Sequence, residues 1–389
     1  MCTPKQTKLI SQLFFLFGAN LLCATELGGL PNFMAPRPPN HKAIPALAKA
    51  ISKDIHYSLP DNYMRGAGDT YFSGKMLAKL GRIIVIAQEL RGLAERPDHD
   101  VPDLSTNDGK ELLRIIRKSK QVTLPTEEEM TDAINRLKSG VEVWLNGTAE
   151  AIYTYDNSWG GLVNCGCLFN GQGCDNVYPN CPSYTDPGLN FGNGMYVMKN
   201  MPISFLFGVS FVIVNLNEYA VSIRFIAAFR YNDHHFHYGY HIYAAAIVAQ
   251  FDREWGRKYF EHVMLYIRDI ANPSVDDKYF PAFRQKDWYL GNSWASGIAL
   301  FGSRPYLNGR NQESSSEAIS AYEAIAMYGS VMMKAWGNSR SAKQSDNENA
   351  ITACRIFNIG RFLCTTEIRS ADRYWHVYSP KRDQIYPDR

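Results

Sequence analysis

The sequence has little net charge. Its 41 Lys and Arg stand against 38 Asp and Glu, leaving +3 over 389 residues. That balance lacks the basic footprint of a nucleic-acid binder, so no nucleic-acid partner is expected. Long hydrophobic runs are also missing. Met201–Leu216 is crowded with Phe, Ile and Val but falls short of the roughly 20 residues a spanning helix needs, so no stable membrane insertion is expected. There is no G-x-G-x-x-G fingerprint, no P-loop and no G-x-S-x-G elbow. Dinucleotide, nucleoside-triphosphate and serine-hydrolase chemistry therefore have no local signature. An H-E-x-x-H zinc motif is absent too. What remains is an ordinary globular composition, 46% hydrophobic and 20% charged, which excludes wholesale disorder. Aromatic residues make up 13% of it, a content that suits sugar rings and ordinary cores equally.

Residues 1–24 pair two lysines with an interrupted apolar stretch ending at Cys23 and Ala24, and read either as a secretory signal or as an atypical start. Asn146-Gly147-Thr148 is the only glycosylation sequon. Cys165, Cys167, Cys174 and Cys181 share a loop rich in Gly, Asn and Pro. In an oxidising compartment they allow three pairings, and their spacing is not that of a usual zinc knuckle. Cys354 and Cys364 fall in expected helices and read as buried thiols.

Residues 25–69 are proline-rich and weakly patterned, as in a linker or surface wrap. Helical periodicity begins near Ser73, where Leu77, Leu80, Ile84 and Ala87 share a face. Residues 97–108 read as a polar loop. Thr126 and Glu129 form a capping box ahead of a stripe of Met130, Ile134, Leu137, Val141 and Trp144. Long helical patterns return at 240–271, 315–336 and 348–371, separated by Gly- and aromatic-rich loops. The fold class is therefore all-α, with a site built from loops and helix ends.

Two segments carry chemistry. In Tyr231–His241, a single carboxylate, Asp233, stands among rings and imidazoles. Packing against rings strips water from a carboxyl group and favours its neutral form, which is what a general acid needs. In Gly309–Ile319, Glu313 and Glu317 are four apart and share a face if the helix has begun. A carboxylate in a helix's first turn feels the positive end of the dipole and is held ionised. A poised acid and a poised base together describe a glycosidase pair. The histidines at 234, 235, 237 and 241 raise a metal as a rival reading, since His237 and His241 have i, i+4 spacing. No third ligand stands out, and donation to sugar hydroxyls fits better.

At these segments the chain resembles the C-terminal catalytic domain of glycoside hydrolase family 81, the endo-β-1,3-glucanases. The resembling stretches are YDNSWGGLVNCGC (155–167), DPGLNFGNG (186–194), NDHHFHYGYHIYAAAIVA (232–249), DWYLGNSWASGIA (287–299), GRNQESSSEAISAY (309–322) and EIRSADRYWHV (367–377). The resemblance implies an (α/α)6 barrel over residues 70–389. It implies hydrolysis of internal bonds in β-1,3-glucan with inversion, outside the cell or in the cell wall, by a monomer with no metal or cofactor. By motif, Asp233 matches the general acid and Glu313 and Glu317 the two glutamates. Glu317 is favoured as the base, with Glu313 holding water or sugar. An inverting pair stands about 6.5–9.5 Å apart. Asp156, Trp159, His237, His241, Asp287, Tyr289, Asn292 and Trp294 match cleft-lining, substrate-binding positions.

Three departures stand out. The family's β-sandwich domain does not precede the barrel in this sequence. Val197–Tyr231 interrupts it, and removing that stretch yields the family-like string NFGNGMYNDHHFHYGYH, so the insert reads as a retained intron. Asn292 stands where relatives carry His. The rival to an active enzyme is thus a glucan-binding pseudoenzyme, or a truncated gene product, disrupted by the insert.

Overall fold

The computed structural model describes residues 39–60, 70–101, 103–149, 153–156, 160–164, 233–295, 311–337 and 344–375. Among them are eight α-helices: α1 (Ile44–Asp54), α2 (Thr70–Glu95), α3 (Asn107–Ser119), α4 (Glu127–Leu145), α5 (His234–Phe251), α6 (Arg253–Ala271), α7 (Ser315–Gly337) and α8 (Gln344–Ser370). Strands β1 (Tyr153–Asp156) and β2 (Gly161–Asn164) pair antiparallel, with Tyr153 opposite Asn164. The all-α expectation holds. No described helix is long and apolar enough to cross a membrane. The N-terminal segment, the four-cysteine loop and the insert at 197–231 lie outside the described residues.

Local chemistry sets several boundaries. The capping box forms as read: Thr126 Oγ1 accepts the Glu129 N–H at 3.2 Å, and Glu129 Oε2 accepts the Thr126 N–H at 2.7 Å. Such caps satisfy orphan amides, each worth about 1 kcal/mol. Met130, Leu137, Val141 and Trp144 of the stripe are buried, and Ile134 packs half-buried against the core. The pattern read as one helix over 240–271 is two. Asp252 is extended (φ −129°, ψ 90°), closing α5 and capping α6 by accepting the Trp255 N–H at 2.9 Å. Apolar periodicity runs on through such a one-residue break, which is why the sequence does not reveal it. The stretch read as a wrap contains α1, whose Ile44, Ala48 and Ile51 are buried. Cys364 is a buried free thiol, as expected. Cys354 corrects the sequence reading: it is disulfide-bonded.

Helix α5 occupies the centre, touching α2, α4, α6 and α7. It is buried round most of its circumference, and its run Ala244–Ala246 with Gly239 keeps it slim. An added Cβ at Gly239 would lie 2.3 Å from Ala321 Cβ, so α5 and α7 meet almost backbone to backbone. Gly360 does the same between α8 and α7, where a Cβ would stand 2.5 Å from Ala326 N. The hairpin is tied to this centre by its backbone. Leu162 donates to Asp269 Oδ1 at 2.9 Å and accepts from Tyr238 Oη at 3.0 Å.

These close approaches generate a paired prediction. Gly360→Ala forces backbone apart and should destabilise the fold by about 1–3 kcal/mol. Gly92→Ala, where nothing stands within 4 Å of the added carbon, should gain about 0.5–1 kcal/mol. Denaturant unfolding of the two variants checks both signs.

Candidate active site

Asp233 sits immediately before α5 in the left-handed region, φ 58° and ψ 9°. For a residue with a Cβ this conformation costs about 1–2 kcal/mol. Its side chain does not cap the helix. The surrounding backbone holds the turn instead. Asp233 N–H donates to the Ala295 carbonyl at 2.8 Å, and Ala295 N–H donates to the Asn311 carbonyl at 2.7 Å. One residue therefore links the acid-bearing turn to the segment that enters α7 and carries both glutamates.

That linking loop is fixed by Glu367 on α8. Its carboxylate, 1% exposed, pairs with the equally buried Lys286 at 2.8 Å. It also accepts from Ser293 N–H at 3.1 Å, Ser293 Oγ at 3.0 Å and Gln312 Nε2 at 3.1 Å. Ser293 Oγ in turn lies 2.6 Å from Tyr322 Oη on α7. Burial opposes ionisation of Glu367, but Lys286 and the other donors outweigh it and hold its pKa below the ordinary value.

The three carboxylates predicted from sequence come together. Burial, then the negative charge of Glu313 and of Glu317, then a hydrogen bond with Glu313, push the Asp233 pKa up to about 7. Glu317 lies in the first turn of α7, and Ser314 Oγ accepts its N–H at 3.4 Å. Burial works against its charge, yet hydrogen bonds involving Tyr240, Ser314, Lys75 and Tyr71 prevail and lower its pKa. The expected shared helix face is corrected for Glu313. Helix α7 begins only at Ser315, so Glu313 stands exposed in the preceding segment and reaches Asp233 from there. His237 Nε2 stands 4.0 Å from Asp233 Oδ2. Burial, with help from neighbouring histidines, lowers its pKa to about 3, so it is neutral beside the acid.

The remaining expected positions divide. His241 is 2% exposed, stacked on Tyr266 and bonded through Nε2 to the Thr70 carbonyl at 3.0 Å, so it belongs to the core rather than a cleft. Its i, i+4 partner His237 faces the carboxylates. Asp287 is occupied by its own turn, accepting the Tyr289 and Leu290 N–H groups at 2.9 and 3.0 Å. That turn projects Tyr289, 91% exposed, beside a groove of about 560 Å³ bordered also by Arg369 and Arg373. Asn292 is buried, with its carbonyl accepting the Asp287 N–H at 2.9 Å. Trp294 is half-buried in the linking loop and donates its N–H to the Gln285 carbonyl at 3.0 Å. Asp156 lies in β1 with its side chain outside the described residues, as is Trp159. Among the described residues no group of three or more His, Cys, Asp or Glu is placed to hold a metal ion.

Three site residues escaped the sequence reading: Tyr71, Lys75 and Tyr240, all in contact with Glu317. The i, i+4 spacing of Tyr71 and Lys75 was their one available signal, and by itself it points to no partner.

The helical scaffold thus shifts two neighbouring carboxyl groups in opposite directions, Asp233 up and Glu317 down. More narrowly, residues 225–386 match the glycosyl hydrolase family 81 C-terminal domain. The resembling stretches at 155–167 and 186–194 precede the matched segment. A glucan endo-1,3-beta-D-glucosidase of Glycine max is 27% identical over 335 residues, covering 85% of this chain and 33% of the relative. One from Acetivibrio thermocellus is 40% identical over 162 residues, covering 40% of this chain and 18% of the relative. A solved structure of glycoside hydrolase family 81 from Clostridium thermocellum has 24% identity and a TM-score of 0.46, covering 92% of this chain and 34% of that one. The chain thus spans a third or less of the length of these curated relatives.

The Glu367 network predicts a stability pattern. Glu367→Gln strands a buried Lys286 and should cost about 3–5 kcal/mol, whereas Glu367→Leu with Lys286→Met should cost far less. Because the folded pKa of Glu367 is depressed, its contribution is present above the unfolded carboxylate pKa and is lost as pH falls through the folded one. Urea unfolding of the variants at neutral and acid pH checks both statements.

Proposed function

We propose that this chain is the catalytic region of an inverting endo-β-1,3-glucanase, an (α/α)6 barrel that cleaves internal bonds of cell-wall or storage glucan outside the cell and works as a monomer. The observation that carries the reading is the splitting of the carboxylates: Asp233 raised to about 7, Glu317 lowered. The resemblance of the relatives, each a glucan endo-1,3-beta-D-glucosidase, supplies the substrate class.

In this mechanism Asp233 gives its proton to the leaving glycosidic oxygen as the bond to the anomeric carbon breaks. Glu317 takes a proton from water as that water's oxygen bonds to the same carbon from the opposite face. Glu313 suits the base role less well. Its hydrogen bond to Asp233 puts it next to the acid, whereas the base of an inverting pair must leave room for water, about 6.5–9.5 Å away. Glu313 instead keeps the acid protonated through its charge. His237, neutral and 4.0 Å from Asp233, does not oppose that protonation.

The pH dependence follows from the two directions. Activity requires Glu317 ionised and Asp233 protonated. It should rise below the ordinary carboxylate range and fall as pH passes about 7, giving an acidic optimum. Asp233→Asn and Glu317→Gln should each lower kcat on linear β-1,3-glucan by about 10²–10⁴-fold while glucan binding persists. NMR of the first product should show the α-anomer. A β-anomer, or turnover surviving both substitutions, contradicts the assignment.

A further inference from the structure

We infer that Lys75, together with Tyr71 and Tyr240, forms a clamp that orients Glu317 for its work on water, so that helix α2 belongs to the catalytic apparatus. The inference rests on the proposed role of Glu317 as base and extends it to Tyr71 and Lys75 of α2, outside the matched segment 225–386.

All three side chains reach the same oxygen. Tyr71 Oη donates to Glu317 Oε1 at 3.1 Å, Lys75 Nζ stands 3.3 Å from it, and Tyr240 Oη donates to it as well. Oε2 is left clear of these three contacts. A carboxylate held by one oxygen in three directions has little rotational freedom, and its other oxygen points in a fixed direction. That is the preorganisation a general base needs, because misplacement by about 1 Å can cost 10²-fold in rate.

The clamp is itself braced. Lys75 donates to Tyr71 Oη, and its Nζ lies 4.1 Å from the centroid of the Tyr71 ring. The Tyr71 ring meets Tyr240 edge-on at 6.0 Å and His237 at 4.8 Å. His237 Nδ1 lies 3.2 Å from Thr70 Oγ1. The first turn of α2 therefore touches both the base and the imidazole beside the acid. Gly74 makes this approach feasible. A Cβ there would stand 2.9 Å from Tyr240 Cβ and 3.1 Å from His241 Nε2.

Charge reinforces geometry. Besides Ser314, the titratable groups that act on Glu317 are Lys75 and Tyr71 from α2, Tyr240, His235 and His237 from α5, and Asp233 just before it. Burial keeps both imidazoles neutral, with pKa values lowered to about 4 and about 3. Asp233 is carried toward its neutral form. Among these described groups Lys75 is the cation. It counters the desolvation of Glu317.

The test uses the full chain and its Lys75→Met, Lys75→Arg and Tyr240→Phe variants on linear β-1,3-glucan, with kcat and KM followed from acid to neutral pH. Lys75→Met should lower kcat by about tenfold or more with little change in KM, the pattern of an interaction that matters in the transition state. Its acidic limb should move to higher pH, because Glu317 loses one of the groups that hold it ionised. Lys75→Arg should restore both, and Tyr240→Phe should shift the limb in the same direction. A limb that stays in place, with activity lost equally at every pH, overturns the clamp and makes Lys75 a packing residue. A change confined to KM overturns it in favour of a sugar contact. Glu317→Gly separates this claim from the reading it rests on. An inactive variant revived by azide supports Glu317 as base whatever Lys75 does, and a variant that keeps full turnover overturns both.

Discussion

Glu367 is a carboxylate nearly closed to water, and the geometry of the carboxylate cluster depends on it. Through Lys286 and Ser293 it fastens the loop running from Lys286 to Ala295 onto α8, and through Gln312 the segment entering α7. Ala295 then bonds the backbone of Asp233 on one side and of Asn311 on the other. A buried ion pair with further donors is a poor way to gain stability, since an apolar pair of similar volume often serves as well. Its value here is positional. It joins three segments that meet at Asp233 and the glutamates.

From this frame the electrostatics follow. Asp233 is desolvated and faces two negative neighbours, so it keeps its proton up to about pH 7. Glu317 is also partly desolvated, yet it receives an ammonium group and two phenols from α2 and α5. Two residues of the same chemistry thus acquire opposite protonation states from the elements around them. The left-handed conformation of Asp233 fits this account. Strain at one residue persists because the Ala295 bond and the following helix over-determine it, and such strain gathers where geometry serves chemistry.

Much of this was legible in the sequence. The capping box at Thr126 announced α4, and the strings around 233 and 313–317 announced the cluster. Other features left no local trace. Tyr71 and Glu317 are separated by 246 positions, so no spacing rule could pair them. His237 and His241 looked equivalent at i, i+4. Helix α5 is surrounded on nearly all sides, however, so shared spacing did not fix a shared environment. One imidazole met the carboxylates and the other met Trp144 and Tyr266. The two-residue lag between Glu313 and the start of α7 depended on where the chain turned helical, which a run of serines does not specify. Asp287 matched a cleft position by motif, but its carboxylate was consumed by the turn it closes.

The central claim is that the scaffold holds Asp233 neutral while Glu317 is charged. The most direct measurement is a site-resolved titration of the carboxyl carbons by ¹³C NMR, with Asp233→Asn used to assign the Asp233 signal. The account predicts a midpoint near 7 for Asp233 and an ionised Glu317 throughout the acidic working range. An Asp233 that titrates like an ordinary exposed aspartate, near about 4, would contradict it.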